Sequence, residues 1–159
     1  MKKLLVLLLI AAPLLAFGQT QTAPTQEQID KAMELTRSDV ASQKVQVITK
    51  AMAFTPEESA KFWPVYNQYQ EELKKIGDQR WTLIKDYADH YSTMDDKKAA
   101  QLTDQALDLE AQRVQLMKKY VPEFQKVLTP RRTARFIQVE NQLNRLIDIQ
   151  LASEIPLMP

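Results

Sequence analysis

The chain has 159 residues, with 21 Lys and Arg against 20 Asp and Glu, one His, two Gly and no Cys. The lack of Cys excludes disulfide scaffolds and thiol redox sites, and so few glycines exclude a Gly-rich nucleotide-binding loop. The near balance of charge argues against nucleic acid as a partner.

The N-terminus has the pattern of a secretory signal peptide over residues 1–18. Lys2 and Lys3 precede the apolar run 4–17, and Gly18 supplies a small residue for cleavage. The run is shorter than the roughly 20 apolar residues of a membrane-spanning helix, and no Cys follows it to carry a lipid. We therefore expect a periplasmic protein, cleaved near Gly18, with no integral membrane segment after cleavage. Loss of the two lysines changes the net charge from +1 to −1.

The rest of the chain is predicted to be a short leader followed by one domain. Residues 19–28 are polar, contain Pro24 and are predicted to form a disordered leader. Residues 29–159 are predicted to form a single all-helical domain. Apolar residues at helical spacing begin at Ile29, and Ser38 predicts the start of a second helical segment.

A fifteen-residue stretch occurs twice, at 54–68 and 128–142, with seven identities in register. Each copy begins a helix, because Thr55 and Thr129 are good N-cap residues and the proline after each suits the first helical position. In the first copy, Glu58 completes a capping box with the threonine. The repeat therefore predicts where two helices begin.

Apolar residues at helical spacing predict one packed face on each of the three later helices. On the first of them the face comprises Phe62, Tyr66, Tyr69, Leu73, Ile76, Leu83 or Ile84, Tyr87 and Tyr91. On the second it comprises Leu102, Ala106, Leu109, Leu116, Tyr120, Phe124 and Val127, interrupted by Arg113. On the last it comprises Phe136, Val139, Leu143, Leu146, Ile147, Ile149 and Leu151.

These patterns predict an all-α protein, an elongated bent helical hairpin of about four helices. Two of the helices are long, and we expect kinks at Pro64 and Pro122 because proline removes a helical hydrogen bond. Thr93 or Asp95 is expected to cap the second long helix. A layer of long helices leaves one face apolar, so dimerisation or partner binding is expected to complete its core.

An aromatic group at the start of the first long helix is a candidate protein-binding surface. It comprises Phe62, Trp63, Tyr66 and Tyr69. Helical spacing favours a core role for the phenylalanine and the tyrosines, whereas Trp63 lies partly opposite that stripe. The alternative is a surface that grips apolar segments of other proteins, since large exposed apolar patches mark binding sites.

Basic residues cluster between positions 111 and 135, where seven of them accompany one acidic residue. The candidate protein-binding residues among them are Lys118, Lys119, Arg131, Arg132 and Arg135. Acidic client proteins or anionic envelope components suit such a stripe, and a solvated helix face is the simpler interpretation. The acidic start Glu57-Glu58 and the basic start Arg131-Arg132 lie at one end of an up-down-up arrangement, so we hypothesise that they pair, within a subunit or across a dimer.

The chain has no constellation that indicates an enzyme or a cofactor site. Its single His excludes most histidine-based triads, and no carboxylate pair stands out from the helical surface charge. Asp86 and His90 are four residues apart and come closest to a metal-site pattern, but a closed site needs more ligands. We therefore predict no enzyme activity, no metal and no cofactor.

The repeated helix starts resemble the Leu-Thr-x-x-Gln motif that occurs twice in Spy/CpxP-type periplasmic proteins. The matching segments are Phe-Thr-Pro-Glu-Glu at 54–58 and Leu-Thr-Pro-Arg-Arg at 128–132. Glu58 and Arg132 stand where the motif has Gln. The resemblance covers the motifs and the helical plan of the mature chain.

The resemblance implies a bent four-helix hairpin that dimerises into a cradle. It further implies a periplasmic chaperone that works without ATP, or an adaptor that restrains an envelope-stress sensor kinase. Unfolded or envelope client proteins, or a sensor protein, would be the partners, bound through an apolar and basic helical surface. Two alternatives stay open, namely a metal-binding or metal-sensing periplasmic protein and an envelope assembly factor with a single partner.

Overall fold

A computed structural model describes residues 23–36 and 38–158, and most of these residues are helical. Its elements are α1 (Gln26–Thr36), α2 (Ser38–Met52), α3 (Pro56–His90), a 3₁₀ turn (Tyr91–Thr93), α4 (Asp96–Val127) and α5 (Pro130–Glu154). No strand occurs among the described residues, so the all-α prediction is confirmed. The predicted signal peptide 1–18 and positions 19–22 of the predicted leader lie outside the described residues.

The two central helices are long, as predicted. α3 has 35 residues and α4 has 32, which corresponds to about 50 Å each at 1.5 Å per residue. Pro64 and Pro122 lie inside these helices, which continue through both positions. The predicted separation at Ser38 divides the N-terminal helical region into α1 and α2, so the described residues contain five α-helices rather than about four.

The predicted helix starts are confirmed by their capping hydrogen bonds. The Thr55 hydroxyl accepts from the Glu58 N–H at 3.2 Å, and the Glu58 carboxylate accepts from the Thr55 N–H at 3.0 Å. Thr129 accepts from the Arg132 N–H at 3.3 Å. Asp95, one of two predicted candidates, caps α4 by accepting from the Lys98 N–H. These bonds satisfy N–H groups that the first turn of a helix leaves unpaired.

α1 begins earlier than the sequence analysis predicted. It starts at Gln26 rather than at Ile29, within the segment predicted to be a disordered leader. The cause is a second capping box, in which the Thr25 hydroxyl accepts from the Gln28 N–H and the Gln28 amide oxygen accepts from the Thr25 N–H. The capping pair therefore moves the helix start by one turn.

α3 and α4 form an antiparallel hairpin, and α5 returns alongside it. Near the middle of the hairpin Glu72 contacts Lys119, whereas near its turn Asp86 contacts Lys98. α5 runs parallel to α3, because contacts occur between their N-terminal turns and again near Arg80, which binds Asp148. α1 and α2 pack against α5, and α1 also contacts α3.

Three phenylalanines from three helices form the centre of the core. Phe62 of α3, Phe124 of α4 and Phe136 of α5 are fully buried. Their ring centroids are 4.5 Å apart for Phe124 and Phe136, 5.0 Å for Phe62 and Phe136, and 5.5 Å for Phe62 and Phe124. Such aromatic pairs stabilise a core beyond the area they bury.

The opposite end of the molecule anchors the C-terminal residues. The Tyr87 hydroxyl donates to the Pro156 carbonyl at 2.9 Å, and the Tyr91 hydroxyl donates to the Leu157 carbonyl at 3.0 Å. These bonds hold the chain that follows α5 against the end of α3. In the described part of the chain, no helix is long and apolar enough to cross a membrane.

Some residues assigned to packed faces by spacing are exposed. Leu146 and Ile149 of α5 are exposed, and so is Ala106 of α4. The packed stripe of α5 instead continues from Phe136 at steps of three and four residues, and it includes Glu140. Leu146 and Ile149 fall outside it because each residue advances the helix by about 100°.

Candidate functional site

The aromatic group predicted as a binding surface is mostly core. Phe62, Tyr66 and Tyr69 are buried, so the core interpretation describes them and they are not available to a partner in this conformation. Trp63 is half-buried against Phe62 and Tyr66, and its indole N–H donates to the Ser59 hydroxyl at 3.0 Å. Trp63 is the one member of the group with a surface that a partner can touch.

Two of the predicted basic residues stabilise the end of α2. Arg132 Nη2 donates to the Met52 carbonyl at 2.9 Å, and Arg135 Nε donates to the Ala51 carbonyl at 3.0 Å. Ala53, which follows the helix, has a φ of 43°, a left-handed conformation that usually requires glycine. The two arginines therefore satisfy terminal carbonyls and place positive charge at the negative end of the helix dipole.

The hypothesis that the acidic and basic helix starts pair is confirmed for one residue of each. Arg132 Nη2 donates to Glu58 Oε2 at 2.9 Å, which joins the first turns of α3 and α5. Glu57 pairs with Lys61 within its own helix. Arg131 is exposed and has no ion pair in the described part of the chain.

Replacing Arg132 with Glu is expected to lower the free energy of unfolding by about 1–2 kcal/mol. The change replaces a partly buried ion pair with a repulsion and removes a donor from the Met52 carbonyl. Arg131→Glu is the matched control, because the adjacent side chain carries the same charge at an exposed position. Urea unfolding monitored by circular dichroism measures the stability of both variants. Equal destabilisation would contradict a stabilising role of the Arg132 contacts. Glu58→Arg in the Arg132→Glu background should restore part of the loss, since the capping box is not rebuilt.

An open groove lies between α3 and α4. Its volume is about 700 Å³, within the range of about 300–1,000 Å³ that is usual for ligand sites. It is lined by Glu72, Lys75, Ile76 and Gln79 of α3 and by Gln112, Gln115, Leu116 and Lys119 of α4. The glutamine amides can donate and accept hydrogen bonds, the lysines add positive charge, and Ile76 and Leu116 supply apolar surface.

The one carboxylate of the groove is held as an anion. Lys119 donates to both oxygens of Glu72, at 2.7 and 2.6 Å, and the Tyr120 hydroxyl donates to Oε1 at 2.7 Å. The hydrogen bonds from Lys119 and Tyr120 hold the pKa of the Glu72 carboxyl below its ordinary value. A carboxylate with a lowered pKa is a poor general acid or base near neutral pH. Glu72 is therefore poorly suited to proton transfer near neutral pH.

Two of the predicted basic residues, Lys118 and Lys119, lie on α4 rather than on α5. Lys119 lines the groove, and its ammonium group also lies 5.4 Å from the centre of the Tyr120 ring. Lys118, its neighbour in sequence, is exposed and does not line the groove. The five candidate binding residues therefore divide into Arg132 and Arg135, which stabilise the end of α2, Lys119 in the groove, and the exposed Lys118 and Arg131.

Asp86 and His90 are the residues closest to a metal-site pattern, and Asp86 forms an ion pair with Lys98. Asp86 Oδ1 lies 2.9 Å from His90 Nδ1, and Asp86 Oδ2 accepts from Lys98 Nζ at 2.7 Å. No group of three or more His, Cys, Asp or Glu side chains suited to a metal ion occurs among the described residues. The ammonium group of Lys98 competes with a cation for the Asp86 carboxylate.

The sequence analysis missed the groove glutamines and a buried ion pair. Lys44 of α2 donates to Glu140 of α5 at 2.5 Å, and both side chains are almost fully buried. Gln112 and Gln115 lie beside Leu116 of the packed stripe of α4, but uncharged polar residues at this spacing are also typical of a solvated helix face. Lys44 and Glu140 are 96 positions apart, so no local pattern joins them.

Comparison of the chain with protein-family models, with curated proteins and with solved structures finds no significant match in any of the three. The resemblance to the Spy/CpxP-type proteins therefore stays a prediction from the two helix starts.

Proposed function

We propose that this chain is an exported, non-enzymatic protein that binds segments of other proteins, as a periplasmic chaperone or as an adaptor of an envelope-stress sensor. In this proposal it acts as a homodimer and needs no cofactor. The observation that carries the proposal is the groove between α3 and α4, whose lining includes glutamine amides, two lysines and two apolar side chains.

An extended polypeptide segment suits this groove better than a small metabolite does. Gln79, Gln112 and Gln115 offer amide groups that can bond to peptide N–H and C=O groups. Ile76 and Leu116 can contact apolar side chains, and Lys75 and Lys119 can attract acidic ones. The groove is open, and its lining covers residues 72–79 of α3 and 112–119 of α4, about 10 Å of each helix, which matches about three residues of an extended chain.

A client-aggregation assay tests the proposal. The purified mature protein is expected to suppress aggregation of a chemically denatured client at an equimolar ratio. Lys75→Glu should weaken suppression several-fold, because it reverses the charge of the groove, whereas Lys74→Glu should not. Lys74 is the matched control, since it is exposed on the same helix and does not line the groove. Equal loss in both variants would contradict binding in the groove.

The result also separates the two forms of the proposal. If the parent protein suppresses no aggregation of any client, the general chaperone is rejected and the adaptor or single-partner assembly factor is left. Photo-crosslinking from position 75 in periplasmic extract then tests whether one protein is captured through the groove. For the metal-binding alternative, zinc titration of His90→Ala against the parent is decisive, because identical binding would reject a role for this residue.

A further inference from the structure

Lys119 and Tyr120 of α4 together hold a carboxylate at one end of the groove, and we call these two residues the carboxylate clamp. The Lys119 ammonium group donates to both oxygens of Glu72, and the Tyr120 hydroxyl donates to one of them. Tyr120 is 6% exposed, so packing fixes the position of its hydroxyl. Burial and the hydrogen bond to Glu72 raise the pKa of this hydroxyl to about 12, so it donates at neutral pH.

Glu72 fills the carboxylate clamp from the facing helix, but it is held only by exposed groups and one hydroxyl. The side chains of Lys119 and Glu72 are 61% and 36% exposed. An exposed ion pair changes an equilibrium constant by only about two- to fivefold, because water and salt screen the charges. A carboxylate from another molecule can therefore replace Glu72 with a small loss of free energy.

The next turn of the groove is apolar. Ile76 follows Glu72 by four residues on α3, and Leu116 precedes Tyr120 by four residues on α4. Because α3 and α4 are antiparallel, these two steps run in the same direction along the groove, and both apolar residues line it. Four residues of a helix advance by about 6 Å. The groove therefore presents an apolar pair about 6 Å from the carboxylate clamp.

An extended peptide matches this spacing. Its residues advance by about 3.3 Å each and alternate in direction, so side chains i and i+2 lie on one face about 6.6 Å apart. An acidic side chain at i can reach the clamp while an apolar side chain at i+2 contacts Ile76 and Leu116. Gln79 and Gln112 line the groove one turn further along, where their amides can bond to peptide N–H and C=O groups. A helical segment would satisfy these backbone groups internally, so the glutamines favour an extended chain.

We propose that the groove recognises the sequence acidic-x-apolar in an extended segment of a partner protein, whose carboxylate replaces Glu72 in the carboxylate clamp. Glu72 is then an internal competitor, which lowers the affinity for acidic segments. The assignment rests on the proposed binding of protein segments in this groove, and it adds the kind of segment bound and the residue that limits its affinity.

Titration of the ¹⁵N-labelled mature protein with short peptides, followed by amide chemical shifts, tests the preference for an acidic residue. The probe is the blocked peptide acetyl-Ala-Glu-Ala-Leu-Ala-amide. It should bind about fivefold more tightly than the same peptide with Gln in place of Glu, because hydrogen bonds to a charged group are stronger than those between neutral groups. Equal affinity for the two peptides would overturn the role of the carboxylate clamp.

Two further peptides of the same composition test the spacing. Acetyl-Ala-Glu-Leu-Ala-Ala-amide places the acidic and apolar side chains on opposite faces of an extended chain, so it should bind several-fold more weakly than the probe. Acetyl-Glu-Ala-Ala-Ala-Leu-amide has the spacing that one face of a helix requires. Tighter binding of either peptide than of the probe would overturn the acidic-x-apolar assignment.

Glu72→Gln tests the internal competitor. This variant should bind the probe about two- to fivefold more tightly than the parent does, and its affinity for the Gln peptide should be unchanged. Glu71→Gln is the matched control, because Glu71 is the exposed neighbour, carries the same charge and does not line the groove. It should change the affinity by less than about twofold, since salt screens an exposed charge outside the site. Equal tightening in both variants, or none in Glu72→Gln, would overturn the role of Glu72.

Tyr120→Phe removes the hydroxyl of the clamp and keeps the ring in the core. In the Glu72→Gln background, where the competitor is absent, this change should reduce the preference for the probe over the Gln peptide by roughly threefold or more. An unchanged preference would overturn the part played by Tyr120. Circular dichroism of each variant verifies that the helices remain folded.

The outcomes distinguish this assignment from the proposed function. If no peptide shifts the amide signals of groove residues at millimolar concentration, both the binding of segments in the groove and the acidic-x-apolar preference are overturned. If all four peptides shift the groove signals with equal affinity, binding in the groove is supported and only the preference is overturned.

Discussion

Glu140→Ala is expected to lower the free energy of unfolding by about 3–5 kcal/mol, the largest loss predicted for any single change in this protein. The substitution leaves the Lys44 ammonium group buried with only the Asn144 amide oxygen, 3.2 Å away, as its partner. Removing one partner of a buried ion pair is costly because the remaining charge has lost its water without compensation. Against a total stability of about 5–15 kcal/mol for a typical domain, this loss is severe.

The surroundings of the pair explain why solvent does not replace the missing charge. Glu140 Oε1 accepts from Lys44 and also lies 3.4 Å from the Gln70 amide nitrogen. Tyr66 and Tyr69 are buried nearby, and burial followed by the negative charge of Glu140 raises the pKa of both hydroxyls well above the ordinary value. The pair therefore joins α2 to α5 inside an aromatic layer contributed by α3.

A double substitution separates the cost of a broken pair from the net value of the pair. Lys44→Met with Glu140→Leu replaces both charges by apolar side chains of similar volume, and we expect a stability equal to or above that of the parent. Urea unfolding followed by the fluorescence of Trp63 and Trp81 measures each variant. A loss below about 1 kcal/mol for Glu140→Ala alone would contradict burial of the pair.

The helix starts could be predicted because their signals are local. Thr55 with Glu58, and Thr129 with its proline, satisfy the first N–H groups of α3 and α5 using residues within one turn. The same chemistry was present at Thr25 and Gln28, but the polar composition around them favoured a disordered leader. Hydrogen bonding at the cap decided the boundary there, rather than composition.

The packed faces could be predicted only where polarity and burial agree. Tyr66 is buried as expected, whereas Glu140, which occupies the same position in the second repeat, is buried against expectation. The repeat could have predicted the burial of Glu140. Phe62 contacts Phe136 and Glu58 contacts Arg132, so equivalent positions of the two copies meet inside the protein. Extending that relation from Phe62 by one turn would have placed Glu140 in the core.

The predicted basic residues have different surroundings in the structure. Lys119 lies in the groove, whereas Arg132 and Arg135 hold the end of α2. A sequence shows that basic residues cluster along the chain, but the contacts of each guanidinium depend on which helix end lies within reach. The glutamines of the groove carry no charge and break no apolar pattern, so nothing in their spacing alone separates them from a solvated helix face.

Asp148→Asn is expected to lower the free energy of unfolding by about 2–3 kcal/mol at neutral pH. Asp148 of α5 accepts from Arg80 of α3 at 2.6 Å and from Arg113 of α4 at 3.0 Å, so one carboxylate joins three helices. The amide that replaces it keeps the size but loses the charge. Both guanidinium groups are then left partly buried, and Arg113 retains only Glu110.

The pKa of Asp148 determines how the contribution of this carboxylate to stability depends on pH. Burial acts to raise the pKa of Asp148, but the hydrogen bonds and charges of Arg80 and Arg113 outweigh it and hold the pKa below the ordinary value of 3.8. A group with a lowered folded-state pKa binds its proton more readily in the unfolded chain. The contribution of Asp148 to the free energy of unfolding is therefore complete when the pH is above the ordinary pKa, and it is lost as the pH falls through the folded-state pKa.

The difference in stability between the parent and Asp148→Asn should therefore be constant from neutral pH down to about 5, and should shrink at lower pH. Comparing the two proteins cancels most of the contribution of the other carboxylates, which titrate in the same range. Asp108→Asn is the matched control, because Asp108 is exposed on α4 and has no ion pair among the described residues. A difference that persists unchanged to pH values well below the ordinary value would mean that Asp148 acts through packing rather than through its charge.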